Sequence, residues 1–352
     1  MAGGHRPISV RMPYARYLIN VIAQSEAAPM VAVDAALRAL VPGRWLLAVS
    51  GGRDSMVMLD AFARARWSEV IAVATFDHGT GAMARLASQL VVEEAAVRLL
   101  PVVTGVRSPD EAESGSEAAW RFARWKFLAR WATELGAVVV TAHTLDDQIE
   151  TVLLRILRGA GPRGIAGMTA DGHGGPVPGL RTVRPFLAVR RADIAGYAAQ
   201  HGVRFVEDPS NMSRAHARNR VRHDLLPAFE SASPGFGAWL LDLSARATKW
   251  RANVDSLVDL LIDEGDVRID AGGTIVVQAR RFATFDTQEW GVLWPSLAAR
   301  VGVAMDRRGV VRAAEWARRS APHSRIQLAG SVSVERTAST FILRRQSAHR
   351  PG

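Results

Sequence analysis

The sequence predicts an α/β protein: a doubly wound parallel sheet, followed by a smaller, mostly helical and mixed C-terminal domain. Two patterns and a length carry this reading. Between residues 44 and 158 short apolar runs alternate with longer amphipathic segments. Those runs lack inner polar positions, which fits parallel strands covered on both faces. At 352 residues the chain exceeds the roughly 250 residues that one core supports, so a second domain is expected.

Taken in order, Arg44, Trp45, Leu46, Leu47, Ala48 and Val49 read as a buried first strand. A glycine turn leads from it into an apolar-periodic helix over 54–64. A second strand follows at 70–76 and a second helix at 82–100; a third strand falls at 101–106 and a helix at 116–135. The run Ala137, Val138, Val139, Val140, Thr141, Ala142 is the fourth strand, and 145–157 is helical. Residues 159–179 hold eight glycines and three prolines, too many for regular elements, and read as a long functional loop. Helix returns at 190–201 and 217–229. After the punctuation of 231–237 the chain reads as helical to 261, mixed to 281, helical at 306–319, and then as strands at 331–336 and 340–344. With no internal repeat, the expected division is an N-terminal extension with a lead-in helix over 1–43, a catalytic domain over 44–230 and a C-terminal domain over 231–352.

Composition narrows the chemistry. The chain is 48% hydrophobic and 22% charged, which places it among soluble globular proteins. It has no cysteine, which removes disulfide scaffolds, Cys-based zinc and iron–sulfur sites and every thiol nucleophile. Its only lysines are Lys126 and Lys249, neither preceded by glycine, so there is no Walker A loop. No apolar run approaches the roughly 20 residues of a membrane span. Arg6, Arg11 and Arg16 precede a short apolar patch over 17–23, but Asn20 interrupts it and no cleavage site follows, so a cytoplasmic protein without a membrane partner is expected. The net charge of +10 is unevenly placed: residues 1–160 carry 17 basic and 16 acidic side chains, whereas residues 161–352 carry 27 and 18. A polyanion partner and an ordinary Arg-rich solvated surface both fit that placement.

Ser50, Gly51, Gly52, Arg53, Asp54 and Ser55 stand directly between the first strand and its helix. Two glycines permit a tight turn with bare backbone N–H groups, the serines add hydroxyls, and the helix N-terminus points its positive end at the same place. A phosphate or pyrophosphate is the natural guest. Asp54 beside a polyphosphate makes sense as a Mg²⁺ ligand. A plain strand–turn–helix connection uses Ser and Asp as caps in the same way. These residues resemble the pyrophosphatase loop of the N-type ATP pyrophosphatases, the PP-loop superfamily, with its adenine nucleotide alpha hydrolase-like fold. That resemblance implies ATP cleaved between its α and β phosphates. The thiolating and glutamine-fed members resembled here use cysteine or an iron–sulfur cluster, so the resemblance leaves members whose second substrate is an ordinary amine or amino acid.

A second group sits where the fourth strand runs into its helix: His143, Thr144, Asp146, Asp147, Gln148, Glu150 and Thr151. Ligands of open α/β sheets bind at such carboxyl ends. Asp146 and Glu150 are i, i+4, and Asp147 and Glu150 are i, i+3, so the carboxylates share a face and could complete a Mg²⁺ site, hold an ammonium group or take a proton from it. Acidic first turns also occur as plain helix grammar. With Arg158, Gly159, Gly161, Gly164, Gly167 and Met168, this stretch resembles the tRNA(Ile)-lysidine synthetase family, whose pattern is His-His-x-Asp-Asp-Gln-x-Glu-Thr followed by an Arg-Gly-rich stretch ending in Gly-Met. Thr144 stands where that pattern has its second His. Glu117, Ala118, Ala119, Trp120, Arg121, Phe122, Ala123, Arg124 and Trp125 resemble the family's arginine-bearing helix. Arg184 to Leu187, then Phe205 to Asn211 and the basic residues beyond, resemble its link toward tRNA-facing parts.

The resemblance covers residues 44–230 and implies an enzyme, a ligase that joins free L-lysine to carbon 2 of the wobble cytidine of tRNA(Ile) with a CAU anticodon, through an adenylated tRNA. It implies ATP and Mg²⁺ as cofactors, ATP on residues 50–55 and Mg²⁺ on Asp54 and Asp147. The catalytic set is Asp54, Asp146, Asp147 and Glu150, and the tRNA-binding set is Arg121, Arg124, Arg214, Arg218, Arg220 and Arg222. A homodimer is left open. Trp239, Trp250, Trp290, Trp294 and Trp316 are read as core in preference to base-stacking platforms. Two rivals remain: an ATP pyrophosphatase of a small molecule, and a non-catalytic ATP-binding sensor.

Overall fold

In a computed structural model, residues 29–79, 81–107, 117–172, 177, 179–208, 213–303, 305–329 and 332–345 are described. Expectations for residues 1–28, including the patch at 17–23, and for 209–212 lie outside them. The chain divides into two compact units. The first comprises Met1–Glu150, Met168–Pro176 and Leu180–Arg222; the second comprises Thr151–Gly167, Val177–Gly179 and His223–Gly352. The sequence division at 230/231 thus differs from the observed one at 222/223, and the segment 151–167 goes with the second unit.

The first unit opens with helix α1 (Pro29–Arg38), the described part of the lead-in. Strand β1 (Trp45–Ala48) leads through a short loop to α2 (Arg53–Ala65). There follow β2 (Val70–Asp77), α3 (Ala82–Val97), β3 (Val102–Val106), α4 (Glu117–Glu134), β4 (Val138–Val140) and α5 (Leu145–Leu157), in the order the periodicity predicts. Short strands β5 (Asp171–Gly172) and β6 (Thr182–Val183) precede α6 (Arg191–His201). The sheet order is β3-β2-β1-β4-β6-β5. All neighbours are parallel except β5 with β6. The first three strands step one way from β1 and the fourth lies on its other side, so the order reverses between β1 and β4. In doubly wound sheets that switch opens a crevice at the carboxyl ends.

Why these runs are strands is visible in their burial. All four residues of β1 are buried, as a strand covered by helices on both faces requires. α2 lays Met56, Val57, Leu59 and Phe62 into the same core as Leu47 and Val73. Asp60 is the charged side chain within the buried stretch 55–62 of this helix. It is 3% exposed and accepts from Arg64 Nε at 2.7 Å, Arg98 Nη2 at 2.8 Å and Tyr197 Oη at 3.1 Å. Burial raises its pKa, but the three donors outweigh that and hold it below the ordinary carboxylate value.

The second unit holds α7 (Leu226–Ala232), the long α8 (Phe236–Asp263), α9 (Thr287–Arg300) and α10 (Arg307–Arg319). Its antiparallel sheet runs β7 (Val267–Ile269), β8 (Ile275–Gln278), β11 (Thr340–Arg345), β10 (Val332–Arg336), β9 (Ser324–Leu328). Helix α9 is absent from the sequence reading because Pro295 stands inside it. Trp290 and Trp294 stack one turn apart at 5.1 Å on that helix and lie in the core with Phe341. They bear out the reading as core, whereas Trp239 is 49% exposed. Part of the glycine-rich stretch is anchored within this unit: Arg155 Nη1 donates to the carbonyls of Gly164 at 2.6 Å and Gly167 at 3.0 Å. Among the described residues no helix is long and apolar enough to cross a membrane.

Candidate active site

The loop after β1 is built by its own side chains. Ser55 Oγ accepts from Ser50 N–H at 3.1 Å and donates to the Gly52 carbonyl at 2.9 Å, and the two serine hydroxyls lie 3.2 Å apart. Gly51 takes φ +83°, and a Cβ there would meet the Ala87 carbonyl oxygen at 2.6 Å. Only glycine fits both the left-handed backbone and the close approach to α3. Gly52 is extended and serves as N-cap of α2 without a side-chain acceptor, so the helix's first N–H groups have no side-chain cap there. Arg53 and Asp54 follow in the first turn, with Arg53 Nε 3.7 Å from Asp54 Oδ1.

The second wall comes from β4, which pairs directly with β1. Their loops therefore leave the sheet side by side. Thr144, fully buried, caps α5 reciprocally. Its N–H donates to Asp147 Oδ2 at 2.8 Å, its hydroxyl lies 3.0 Å from the same oxygen, and Asp147 N–H reaches Thr144 Oγ1 at 3.3 Å. The residue that departs from the family pattern thus has a structural task. His143 Nδ1 lies 2.8 Å from Thr141 Oγ1. Burial, with added repulsion from Arg184, Arg218 and Arg124 against attraction from Asp147, pushes the imidazole far below its usual pKa, so it is neutral.

The four predicted carboxylates divide into two kinds. Asp147 and Glu150 are closed. Asp147 Oδ1 accepts from Arg191 Nη2 at 2.8 Å and Arg218 Nη2 at 2.9 Å. Glu150, 1% exposed, accepts from Arg222 Nε at 2.6 Å and Arg218 Nε at 2.7 Å. Burial raises both pKa values, but Arg218 and Arg191 at Asp147, and Arg222 and Arg218 at Glu150, win and hold both acids ionised. Asp54 and Asp146 keep open oxygens. Asp146 Oδ2 accepts the Arg191 backbone N–H at 2.8 Å. Asp54 Oδ1 is buried without a hydrogen-bond partner. Its carboxyl is raised chiefly by burial and also by Asp147, against attraction from Arg191 3.7 Å away. A buried carboxylate oxygen lacking a donor suits a cation. Among the described residues no three His, Cys, Asp or Glu side chains converge as a ready metal site. A divalent ion at Asp54 would therefore need phosphate oxygens or water to complete its shell.

Of the arginines expected to meet tRNA, Arg218 and Arg222 are engaged by Asp147 and Glu150, because buried carboxylates require close counter-charges. Arg220 is exposed and donates to the Arg214 carbonyl at 2.9 Å. Arg121 is exposed, while burial and the Arg121 charge lower Arg124 to a pKa of about 10. Two residues that the sequence reading passed over stand near Arg124. His78 follows β2 and Arg107 follows β3, and the charges of Arg124 and Arg107 both lower His78 after burial does. Arg107 lies over the Trp120 ring at 5.2 Å. His78 Nδ1, Arg107 Nη1 and Trp120 Nε1 are buried without partners. Arg107 directly follows the predicted third strand and His78 stands two residues beyond the predicted second strand, which was the available signal. Arg191 was missed too, since only the fold brings it to a helix 41 residues earlier.

A PP-loop domain model matches residues 27–229. The tRNA(Ile)-lysidine synthase of Pseudomonas aeruginosa is 38% identical over 204 residues, 56% of this chain and 45% of that protein. That of Rhodopseudomonas palustris is 37% identical, covering 64% and 65%; that of Methylobacterium nodulans is 35% identical, covering 67% and 70%. The chain therefore spans about half to two thirds of the first two relatives. The U34-tRNA thiolase NcsA of Methanococcus maripaludis, at 14% identity, superposes with a TM-score of 0.52 over 63% of this chain and 80% of its own, a likeness of fold. The chain belongs to the PP-loop family and, within it, to the tRNA(Ile)-lysidine synthases.

Proposed function

We propose that the chain ligates free L-lysine to carbon 2 of the wobble cytidine of tRNA(Ile) with a CAU anticodon, using ATP and releasing AMP and pyrophosphate. The observation that carries this is the adjacency of β1 and β4. It sets the glycine-containing loop of residues 50–55 and an acidic helix start at one switch point of the sheet. The β and γ phosphates of ATP rest on the N–H groups of residues 51–54 at the start of α2, with the Ser50 and Ser55 N–H groups holding the loop's own shape. Asp54 would hold Mg²⁺, which when bound neutralises charge on the departing pyrophosphate.

The cytidine's carbon 2 oxygen attacks the α-phosphorus, and the α–β bridging bond breaks. The oxygen, a poor leaving group, becomes part of AMP. Lysine's ammonium is held by the open carboxylate of Asp146. It loses a proton to a carboxylate or water, its ε-nitrogen bonds to carbon 2, and the carbon–oxygen bond to AMP breaks. Asp147 and Glu150 act as positioning residues: they keep Arg191, Arg218 and Arg222 in place behind the open pair. Arg121 and Arg124, with Arg107, supply positive charge at the β2 and β3 ends, and Arg214 and Arg220 add exposed charge for the RNA backbone.

Incubation with ATP, lysine and a tRNA(Ile) transcript with a CAU anticodon should release AMP only when the transcript is present. AMP release driven by a small metabolite without RNA would favour the small-molecule rival. ATP binding without AMP under every condition would favour the sensor.

A further inference from the structure

Three aromatic rings at the start of the second unit form a continuous stack with both ends in water. Phe229 lies in α7, and Phe236 and Trp239 lie in the first turn of α8. The rings of Phe229 and Phe236 are 4.8 Å apart at 26°, and those of Phe236 and Trp239 are 5.5 Å apart at 28°. Phe229 is 40% and Trp239 49% exposed. Their support is rigid. Glu230 accepts the N–H groups of Gly235 at 2.6 Å and Gly237 at 3.0 Å, and Gly235 takes φ +89° to reverse the chain between the helices. The rings are therefore held before any partner arrives, so little side-chain freedom remains to be lost on docking.

What adjoins the stack points to its partner. Asp242, Arg246 and Lys249 stand at i+3, i+7 and i+10 from Trp239, all exposed, along about 15 Å of one helix face. Arg246 pairs with Asp242 at 2.8 Å, and Lys249 has no ion-pair partner among the described residues. Flat aromatic faces beside cations match a nucleic acid strand, whose bases stack while its phosphates meet the charges.

We propose that the stack of Phe229, Phe236 and Trp239 is a platform for an unpaired base of the RNA substrate, with Lys249 meeting a neighbouring phosphate. This rests on tRNA being the substrate. The test is tRNA affinity at fixed salt for the full chain, Trp239→Ala and Trp239→Tyr. Loss of one base–aromatic stack weakens binding about tenfold in Trp239→Ala, whereas Trp239→Tyr stays within about threefold of the parent. The salt dependence of Trp239→Ala stays parallel to that of the parent, since no charge is removed. Unchanged affinity in Trp239→Ala overturns the platform and leaves the ligase reading standing. So does a parent that sediments as a dimer only while Trp239 is present, since the stack would then cover a second copy. A parent chain that binds no tRNA removes the reading on which the platform rests.

Discussion

Arg222 Nε donates to Glu150 Oε1 at 2.6 Å, and Glu150 is closed to solvent. A carboxylate so placed is a poor candidate for exchanging protons with substrate and a strong one for fixing guanidiniums. Glu150→Gln should lower stability by about 3 kcal/mol, because it leaves buried positive charge uncompensated. Urea unfolding would read that loss. Unchanged stability together with lost activity would return Glu150 to the reacting groups.

Asp54 should behave in the opposite way. Its folded pKa is raised, so its ionised form opposes folding at neutral pH. Asp54→Asn is expected to keep or raise the melting temperature while lowering AMP release roughly 100-fold or more. Calorimetry and a single-turnover AMP assay on one preparation would separate the two effects.

Gly51→Ala places a Cβ 2.6 Å from the Ala87 carbonyl oxygen at a left-handed position. The expected cost is about 2 kcal/mol or more, with ATP affinity at least about tenfold lower, since the loop has to shift. Isothermal titration with ATP would measure it.

Thr144→Ala should destabilise the chain by about 1 kcal/mol through loss of the α5 cap. Thr144→His, which brings in the residue of the family pattern, should be worse by about 1–3 kcal/mol, because the position is fully buried in this chain. Melting temperatures of the two variants, ranked against the parent, decide it.

Asp60 sets an acid limit. Its pKa is held below the ordinary 3.8, so its contribution to stability is present above that value and lost as pH falls through the lower folded value. Asp60→Asn should reduce stability at pH 7 by about 3 kcal/mol and flatten the fall in stability below about pH 4. Urea unfolding at pH 7 and in steps below pH 4 would measure both.

Local pattern made much of the first unit legible. The strand and helix order, the loop at Gly51 and Gly52 and the carboxylates of α5 all follow from contiguous residues. The same pattern could not tell which carboxylates stay open. That depends on Arg191, Arg218 and Arg222, which reach Glu150 across 41, 68 and 72 residues. Arg218 and Arg222 looked like a polyanion cluster because spacing records charge but not its counter-charge. Helix α9 was hidden by Pro295, a breaker by propensity that burial of Trp290 and Trp294 on the same helix outweighs.

The most direct test is the chemical identity of the product. After incubation with ATP, isotopically labelled lysine and the CAU-anticodon transcript, nucleosides from digested RNA are resolved by mass spectrometry. The account predicts one labelled lysine on the wobble cytidine for each AMP and pyrophosphate released. AMP release with an unmodified cytidine, or label at another nucleotide, would contradict it.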